Sequence, residues 1–435
     1  MDGVMEVREP ISDQWNEIQQ FFGLEFDSRN AIKRFKAFKE NIEADKDHVR
    51  VHGQYYNNIH LGKRIFGPAR KQMFTSTIVG GMERRFEIIE NPVNYIPFTS
   101  DAFEQNLDKC RNPRIKCKDD TRVKLRVPAG SGRSDFIHAN WVKGPPLFNS
   151  FILTQAPMRN TIEDFWTMVT QEKVEMLLML ISRKETDRCA RFWPSSGNTL
   201  QFGPFSIFTR HSDSIGKIIT RYSIQVNFVE PETNESKQYK VILFQGDLNN
   251  SDNLYAIIFL LNQARLCKGP TVVIDHLGIS RGACLLSVEI CLMSIIRGPY
   301  YKHPAQRAVH FLRSCRPFSV ETPMQYIFIH RVLLHLFRGY CGPAKLFEED
   351  YARWLRSRST RLFVDDVNGP IPPHRLLSPR VDPDLLAQAN TKPRPNVRRE
   401  IHNNIGELPQ AAERSETSYA LHLPNKYPRG KRYIY

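Results

Sequence analysis

The stretch Val272 to Cys284, V-V-I-D-H-L-G-I-S-R-G-A-C, constrains the fold of this chain more than any other. A run of β-branched residues, Val272, Val273 and Ile274, stops at a polar turn containing Gly278, and an apolar segment with helical spacing runs from Cys284 to Ile296. That order predicts strand, loop and helix. Such a loop gathers backbone N–H groups into one small volume at the positive end of a helix, which suits an anion such as phosphate. Arg281, at the end of the loop, adds a two-pronged donor.

The loop resembles the phosphate-binding loop of the protein tyrosine phosphatases, with Gly278, Ile279, Arg281 and Cys284 on matching positions and Ser280 between them. The same register puts Asp275 where that family has its nucleophilic cysteine. The chemistry needs a thiolate held ionised by the loop amides and the arginine. A carboxylate there carries the same sign of charge as the phosphate it would receive, a repulsion of several kcal/mol in a poorly solvated pocket. Phosphoryl transfer to Asp275 would need a magnesium ion held by further carboxylates, and none is spaced for that. The expectation is therefore no metal, no cofactor and no turnover, with Asp275 folded onto Arg281 and the loop amides as an internal ion pair that fills the anion site.

Other stretches follow the family's order. They are N-L-D-K-C-R-N-P-R-I-K-C-K-D-D-T-R-V-K-L, D-F-I-H-A-N-W-V, T-Q-A-P with N-T-I-E-D-F-W, E-T-D-R-C-A-R-F-W-P, and R-S-C-R-P-F-S-V-E-T-P-M-Q-Y-I-F. Thr161 before Asp164, Phe165 and Trp166 suggests a capped helix whose aromatic residues face the core. Val174 to Ile181 has the unbroken apolar character of a buried strand. The resemblance implies an α/β core with a central mixed, twisted sheet flanked by helices over residues 81–340.

It also implies which chemical positions have changed. The family's ring-stacking tyrosine falls on Asn112, and an aspartate that holds the substrate backbone falls on Arg114. The general acid's place in K-V-I-L-F-Q-G-D-L-N-N-S-D-N-L goes to Asp247 or Ser251, according to where the gap falls, without the family's Trp-Pro pair. The glutamine that positions hydrolytic water corresponds to Glu321, whereas the second glutamine of that loop is kept as Gln325. Nucleophile, acid, water-positioning group and ring-stacking group are all altered while Arg281 and the packing residues remain. Such a pattern describes a binding scaffold better than an enzyme.

Residues 1–80 form a small α-rich segment by pattern, with Trp15, Ile18, Phe22, Phe26, Ile32, Phe35, Phe38 and Ile42 at intervals of three and four. This segment resembles the inhibitory propeptide of papain-like cysteine proteases over residues 12–74. Trp15, Phe26, Arg34, Phe38, Asn41 and His48 sit on its helical positions, and Gly62, Phe66, Gly67 and Phe74 on its extended part. Arg64 and Pro68 depart from that motif, and no catalytic Cys and His pair follows. The resemblance implies a trans-acting inhibitor of a papain-like protease; the alternative is a helical cap on the next domain.

At 435 residues, with 41% apolar and 11% aromatic content, the chain is long enough for two or three domains and for a sizeable core. The formal charge of +15 comes from scattered Lys and Arg with no nucleic-acid motif, so no nucleic-acid partner is expected. Eight cysteines without a C-x-x-C pair argue against zinc and for a reducing, cytoplasmic setting. Neither a secretory h-region nor a run of about 18 apolar residues is present, so no membrane span is expected. A helix through Phe347 to Leu355 opens the segment 341–435, which beyond Asp366 turns basic and Pro-rich, as in P-I-P-P-H and K-P-R-P-N-V-R-R; the expectation there is largely disorder. The core is similar in style to the tyrosine phosphatase-like proteins of polydnaviruses. That resemblance implies a pseudophosphatase that binds a host phosphoprotein or signalling protein in the host cell and interferes with immune signalling.

Overall fold

Nine strands in one mixed sheet, ordered β1-β2-β3-β9-β4-β8-β7-β6-β5, form the frame of the computed structural model. The structure describes residues 27, 29–44, 77–91, 97–127, 130–215, 218–230, 233–246 and 254–356. All of them belong to the unit Met1–Arg380, and the second compact unit, Val381–Tyr435, lies outside the described residues. The strands are β1 (Arg122–Lys124), β2 (Phe136–Val142), β3 (Phe151–Gln155), β4 (Met176–Met179), β5 (Thr199–Phe202), β6 (Phe205–Ile215), β7 (Ile219–Val229), β8 (Ser236–Gly246) and β9 (Thr271–Asp275).

The centre of the sheet is parallel, with β9 between β3 and β4 and β8 beyond β4. Strands covered on both faces need apolar residues at every position. Accordingly β9 (T-V-V-I-D) and β4 (M-L-L-M) are buried throughout. The outer strands β5 to β8 are antiparallel and alternate: in β7, Tyr222, Ile224 and Val226 point inward while Arg221, Ser223 and Gln225 face out or lie half-buried. The mixed sheet flanked by helices matches the expectation from sequence.

Ten helices are described: α1 (29–44), α2 (Ile78–Ile89), α3 (Asp101–Glu104), α4 (Ile162–Gln171), α5 (Leu254–Arg265), α6 (Arg281–Ile296), α7 (Pro304–Cys315), α8 (Pro323–Leu336), α9 (Arg338–Cys341) and α10 (Lys345–Arg356). Helix α6 is buried at every residue, as befits a helix apolar all round. In α4, Phe165 and Trp166 face the core as expected. Thr161 does not cap that helix; its hydroxyl accepts from the Met158 N–H at 2.9 Å, closing the turn before it.

Helix α1 is built into this core. Ala31, Ile32, Phe35, Phe38 and Ile42 are buried in the same apolar cluster as Phe337 and Phe347, and Phe38 stacks on His330. Its polar residues are also engaged. Arg34 Nη1 donates to the Ile295 and Gly298 carbonyls at 3.2 and 2.7 Å, closing the C-terminal end of α6. Asn41 donates to the Tyr300 hydroxyl and Lys39 to the Cys341 carbonyl. Three residues of the propeptide-like pattern, Arg34, Phe38 and Asn41, are thus spent on intramolecular contacts, as in a helical cap. Trp15, Phe26, His48, Gly62, Phe66, Gly67 and Phe74 lie outside the described residues. At the other end, α10 buries Phe347 and Tyr351, and Asp350 Oδ2 accepts from the Val79 N–H at the start of α2. The Pro-rich stretch beyond residue 356 is outside the described residues.

Candidate anion-binding loop

Strand β9 ends at Asp275 and α6 begins at Arg281, so the loop between them sits at the C-terminal edge of the parallel strands and at a helix N-terminus. Its conformation demands glycine. Gly278 has φ +71°, and a Cβ there would stand 2.6 Å from the Thr154 carbonyl carbon and 2.7 Å from the Gln155 nitrogen. A Cβ on Gly282 would lie 2.7 Å from Leu153 Cδ1 and 3.0 Å from Asp275 Oδ2. Gly278 thus lets the loop pack against the end of β3, and Gly282 lets the backbone approach the Asp275 carboxylate.

The anion is the chain's own. Asp275 Oδ1 accepts from the Gly278 N–H, and Oδ2 accepts from Ser280 N–H at 3.2 Å and Gly282 N–H at 2.7 Å. The side chain has no solvent exposure, and the rest of the loop is nearly as buried, His276 being 8% exposed and Ile279 1%. Ile279 packs with Ile115, Leu277 and Phe318, and its carbonyl accepts from the Val320 N–H, which ties the loop to the segment before α8. The expectation that Asp275 fills the cradle of amides is met.

Its pairing with Arg281 is not. The Arg281 guanidinium reaches Glu185 through two contacts of 2.8 Å and donates to the Leu180 carbonyl at 2.9 Å. Burial alone would push the Glu185 carboxyl up, yet the hydrogen bonds and charge of Arg281, with help from the Ser182 amide and Arg188, hold it below its ordinary value. The physical reason is competition: three amides already satisfy Asp275, so the fork goes to Glu185, which has the Ser182 amide alone from the backbone.

Beneath the loop lies Arg316, 1% exposed. It donates to the Gly278 and Leu277 carbonyls, to Asn140 Oδ1 at 2.8 Å and to His138 Nδ1 at 2.9 Å. Burial and the neighbouring guanidinium push His138 down to about 3, so its ring is neutral; Nε2 donates to the Ile115 carbonyl and Nδ1 is left to accept. A sulfur is present near the loop but is not poised for attack. Burial first, then the charges of Asp275 and Glu321, push the Cys284 thiol far up, and its Sγ points to the Gln325 carbonyl at 3.9 Å.

The remaining candidate positions carry structural roles. Asn112 is half-buried and its Oδ1 accepts from the Arg114 N–H at 2.9 Å, a local turn with no ring to stack on. Glu321 donates its backbone N–H to Gln325 Oε1 at 2.8 Å, and Gln325, 1% exposed, is fixed by that bond. Asp247 and Ser251 lie outside the described residues. No cluster of three His, Cys, Asp or Glu able to hold a metal occurs among the described residues, and no helix among them is long and apolar enough to cross a membrane. Sequence reasoning quoted the stretches containing Glu185, Arg316 and His138 without giving those residues a part in the site. The signal was a charged or polar residue inside a stretch otherwise explained by packing.

Comparison with known proteins agrees with this geometry. The family described as protein-tyrosine phosphatase matches residues 106–335. The inactive protein-tyrosine phosphatases egg-4 and egg-5 of Caenorhabditis elegans are each 50% identical over 393 residues, covering 88% of this chain and 51% of the relative. The chain thus spans about half the length of these curated relatives. Tyrosine-protein phosphatase 69D of Drosophila melanogaster is 29% identical over 266 residues, which is 58% of this chain and 18% of that protein. Among solved structures, the catalytic domain of human protein tyrosine phosphatase non-receptor type 18 superposes with a TM-score of 0.52 at 24% identity, covering 59% of this chain and 96% of that one, a likeness of fold.

Proposed function

The chain belongs to the protein-tyrosine phosphatase family as an inactive homologue, and from that premise we propose that it works by binding a protein partner with the phosphatase frame as scaffold. The observation that carries this reading is the Asp275 carboxylate on the Gly278, Ser280 and Gly282 amides. An oxyanion of a substrate would have to displace a like charge held by three hydrogen bonds, and the nearby arginine is already neutralised by Glu185. Phosphoryl transfer to Asp275 itself meets the same obstacle, since the side chain is enclosed.

The partner class is a signalling protein or phosphoprotein engaged outside the loop. Its assignment to host immune signalling has support only in the likeness to polydnavirus proteins, whereas the two most alike relatives named above are nematode proteins. Inhibition of a papain-like protease draws no support from α1, whose matching residues are turned inward.

The deciding experiment is hydrolysis of p-nitrophenyl phosphate and a phosphotyrosine peptide by the full chain, beside Arg281→Ala. No turnover is expected from either. Activity that disappears with Arg281 would overturn the binding-only reading.

A further inference from the structure

At the edge of the parallel strands opposite the Asp275 loop, we propose that the segments leading into β3 and β9, together with the end of α6, form a surface that docks on an anionic lipid bilayer. Phe148 and Leu266 enter the headgroup layer, and Lys143, Lys268 and Arg297 meet its charge.

Three chain segments come together there. Residues 143–150 lead into β3, residues 266–270 lead from α5 into β9, and Arg297 follows α6. Asn149 Nδ2 donates to the Ala264 carbonyl at 2.7 Å and the Thr271 N–H to the Ser150 carbonyl at 3.1 Å, which joins the first two. The Arg297 guanidinium lies over the Phe148 ring, 4.4 Å from its centroid, which joins the third. The next residue, Gly298, is held from the other side, its carbonyl accepting from Arg34 of α1.

Two features of this edge point to a ligand. The first is apolar. Leu266 is 72% exposed, more than any other large apolar side chain among the described residues, and Phe148, at 48%, carries the only exposed aromatic ring among them. Single apolar side chains are ordinary on a surface, but these two flank one hydrogen bond, from Asn149 to Ala264.

The second feature is charge. Lys143, Lys268 and Arg297 are exposed, and none has a carboxylate within ion-pair distance among the described residues. Solvent-facing cations elsewhere, Arg133, Arg221 and Lys237, each sit on an acid. Glu175 reaches this edge, but there it accepts from the Lys268 backbone N–H at 3.3 Å.

Unanswered cations around uncovered apolar side chains match an anionic bilayer, whose headgroups take the charge while the acyl boundary takes the ring and the leucine. Arg297 can keep its stacking on Phe148 while its N–H groups reach a lipid phosphate. A specific protein contact buries roughly 800 Å² a side around an apolar core, more than two side chains supply, whereas docking on a bilayer needs only a few inserted groups. Docked in this way, the domain turns its Asp275 edge away from the lipid.

The test is co-sedimentation of the full chain with vesicles of phosphatidylcholine alone and of phosphatidylcholine mixed with phosphatidylserine. Binding to the mixed vesicles alone, weakened by salt, is expected. Phe148→Ala with Leu266→Ala, which leaves the net charge unchanged, should weaken partition about tenfold. Lys143→Gln with Lys268→Gln should weaken it about thirtyfold. Leu266→Asp alters a side chain that stands in solvent, so it keeps the fold and should weaken partition at least about tenfold. No binding, equal binding to both vesicles, or binding that all three variants retain overturns the proposal; the last would move the contact to other basic parts of the chain. Retention by soluble polyglutamate without binding to vesicles, lost in Leu266→Asp, also overturns it and gives the edge to an acidic protein segment. None of these outcomes alters the reading of the Asp275 loop, which phosphatase assays test separately.

Discussion

Arg281 and Glu185 form a two-point ion pair, 2.8 Å on each arm, that turns the guanidinium away from Asp275. The Arg281 side chain is 2% exposed and that of Glu185 18%, so the pair sits at the margin of the core. Glu185→Gln would remove the carboxylate that answers the buried Arg281 charge, at a cost of about 3 kcal/mol in urea unfolding at pH 7. The folded Glu185 carboxyl is held below its unfolded value of 4.5, so its contribution is present above that pH and is lost as pH falls through the folded value. The acid limb of the stability curve should accordingly be shallower in Glu185→Gln; an unchanged limb would contradict the pairing.

Asp275→Cys restores the sulfur and little else. The new thiol would face the Gly278, Ser280 and Gly282 amides, yet Asn112 supplies no ring and Glu321 carries a carboxylate rather than an amide. Steady-state assays with p-nitrophenyl phosphate should show no more turnover than Asp275→Asn. Measurable burst kinetics in Asp275→Cys would mean that the pocket is intact apart from its nucleophile.

His138 gives the fold a pH dependence with a definite sign. Its folded value near 3 lies below the unfolded 6.5, so the unfolded chain binds the extra proton between them and stability drops as pH falls from 6.5 towards 3. His310, pushed down to about 4 by burial and by Arg313 and Arg307, acts in the same direction. For His138 alone, the loss between pH 7 and pH 5 is about 2 kcal/mol. Chemical denaturation at the two pH values should show that difference shrinking by a similar amount in His138→Asn, and an undiminished difference would rule the residue out as its source.

Helix α1 should behave as part of the domain. Phe38→Ala empties a buried ring position and should cost about 3–5 kcal/mol. Arg34→Ala, which frees the Ile295 and Gly298 carbonyls, should cost about 1–2 kcal/mol. Calorimetry of the full chain checks both; a Phe38→Ala midpoint equal to that of wild type would make the helix a separate module.

Much of the fold was legible because packing writes itself into sequence locally. The apolar runs of β4 and β9, the aromatic residues of α4 and the strand-loop-helix around Asp275 each depend on neighbours within one element. Asp275 on its amides was legible for the same reason, since donor and acceptor lie on a single loop. Arg281 was misread because its partner comes from 96 positions away, and a local view offered Asp275 as the only acid in reach. Arg316 escaped notice for a similar reason: its contacts to Gly278 and His138 join chain segments 38 and 178 positions apart. The spacing of Arg34, Phe38 and Asn41 was equally suited to an inhibitor and to a cap, and the tertiary contacts these three residues make could not be read from it.

The enclosure of the Asp275 loop bears on pharmacology. Vanadate, tungstate and phosphonate compounds that exploit an open amide cradle find this one closed, its residues from Asp275 to Arg281 at most 8% exposed among those with a side chain. Such reagents should silence an active phosphatase in a mixture and leave this homologue untouched, which makes it a built-in control for their selectivity.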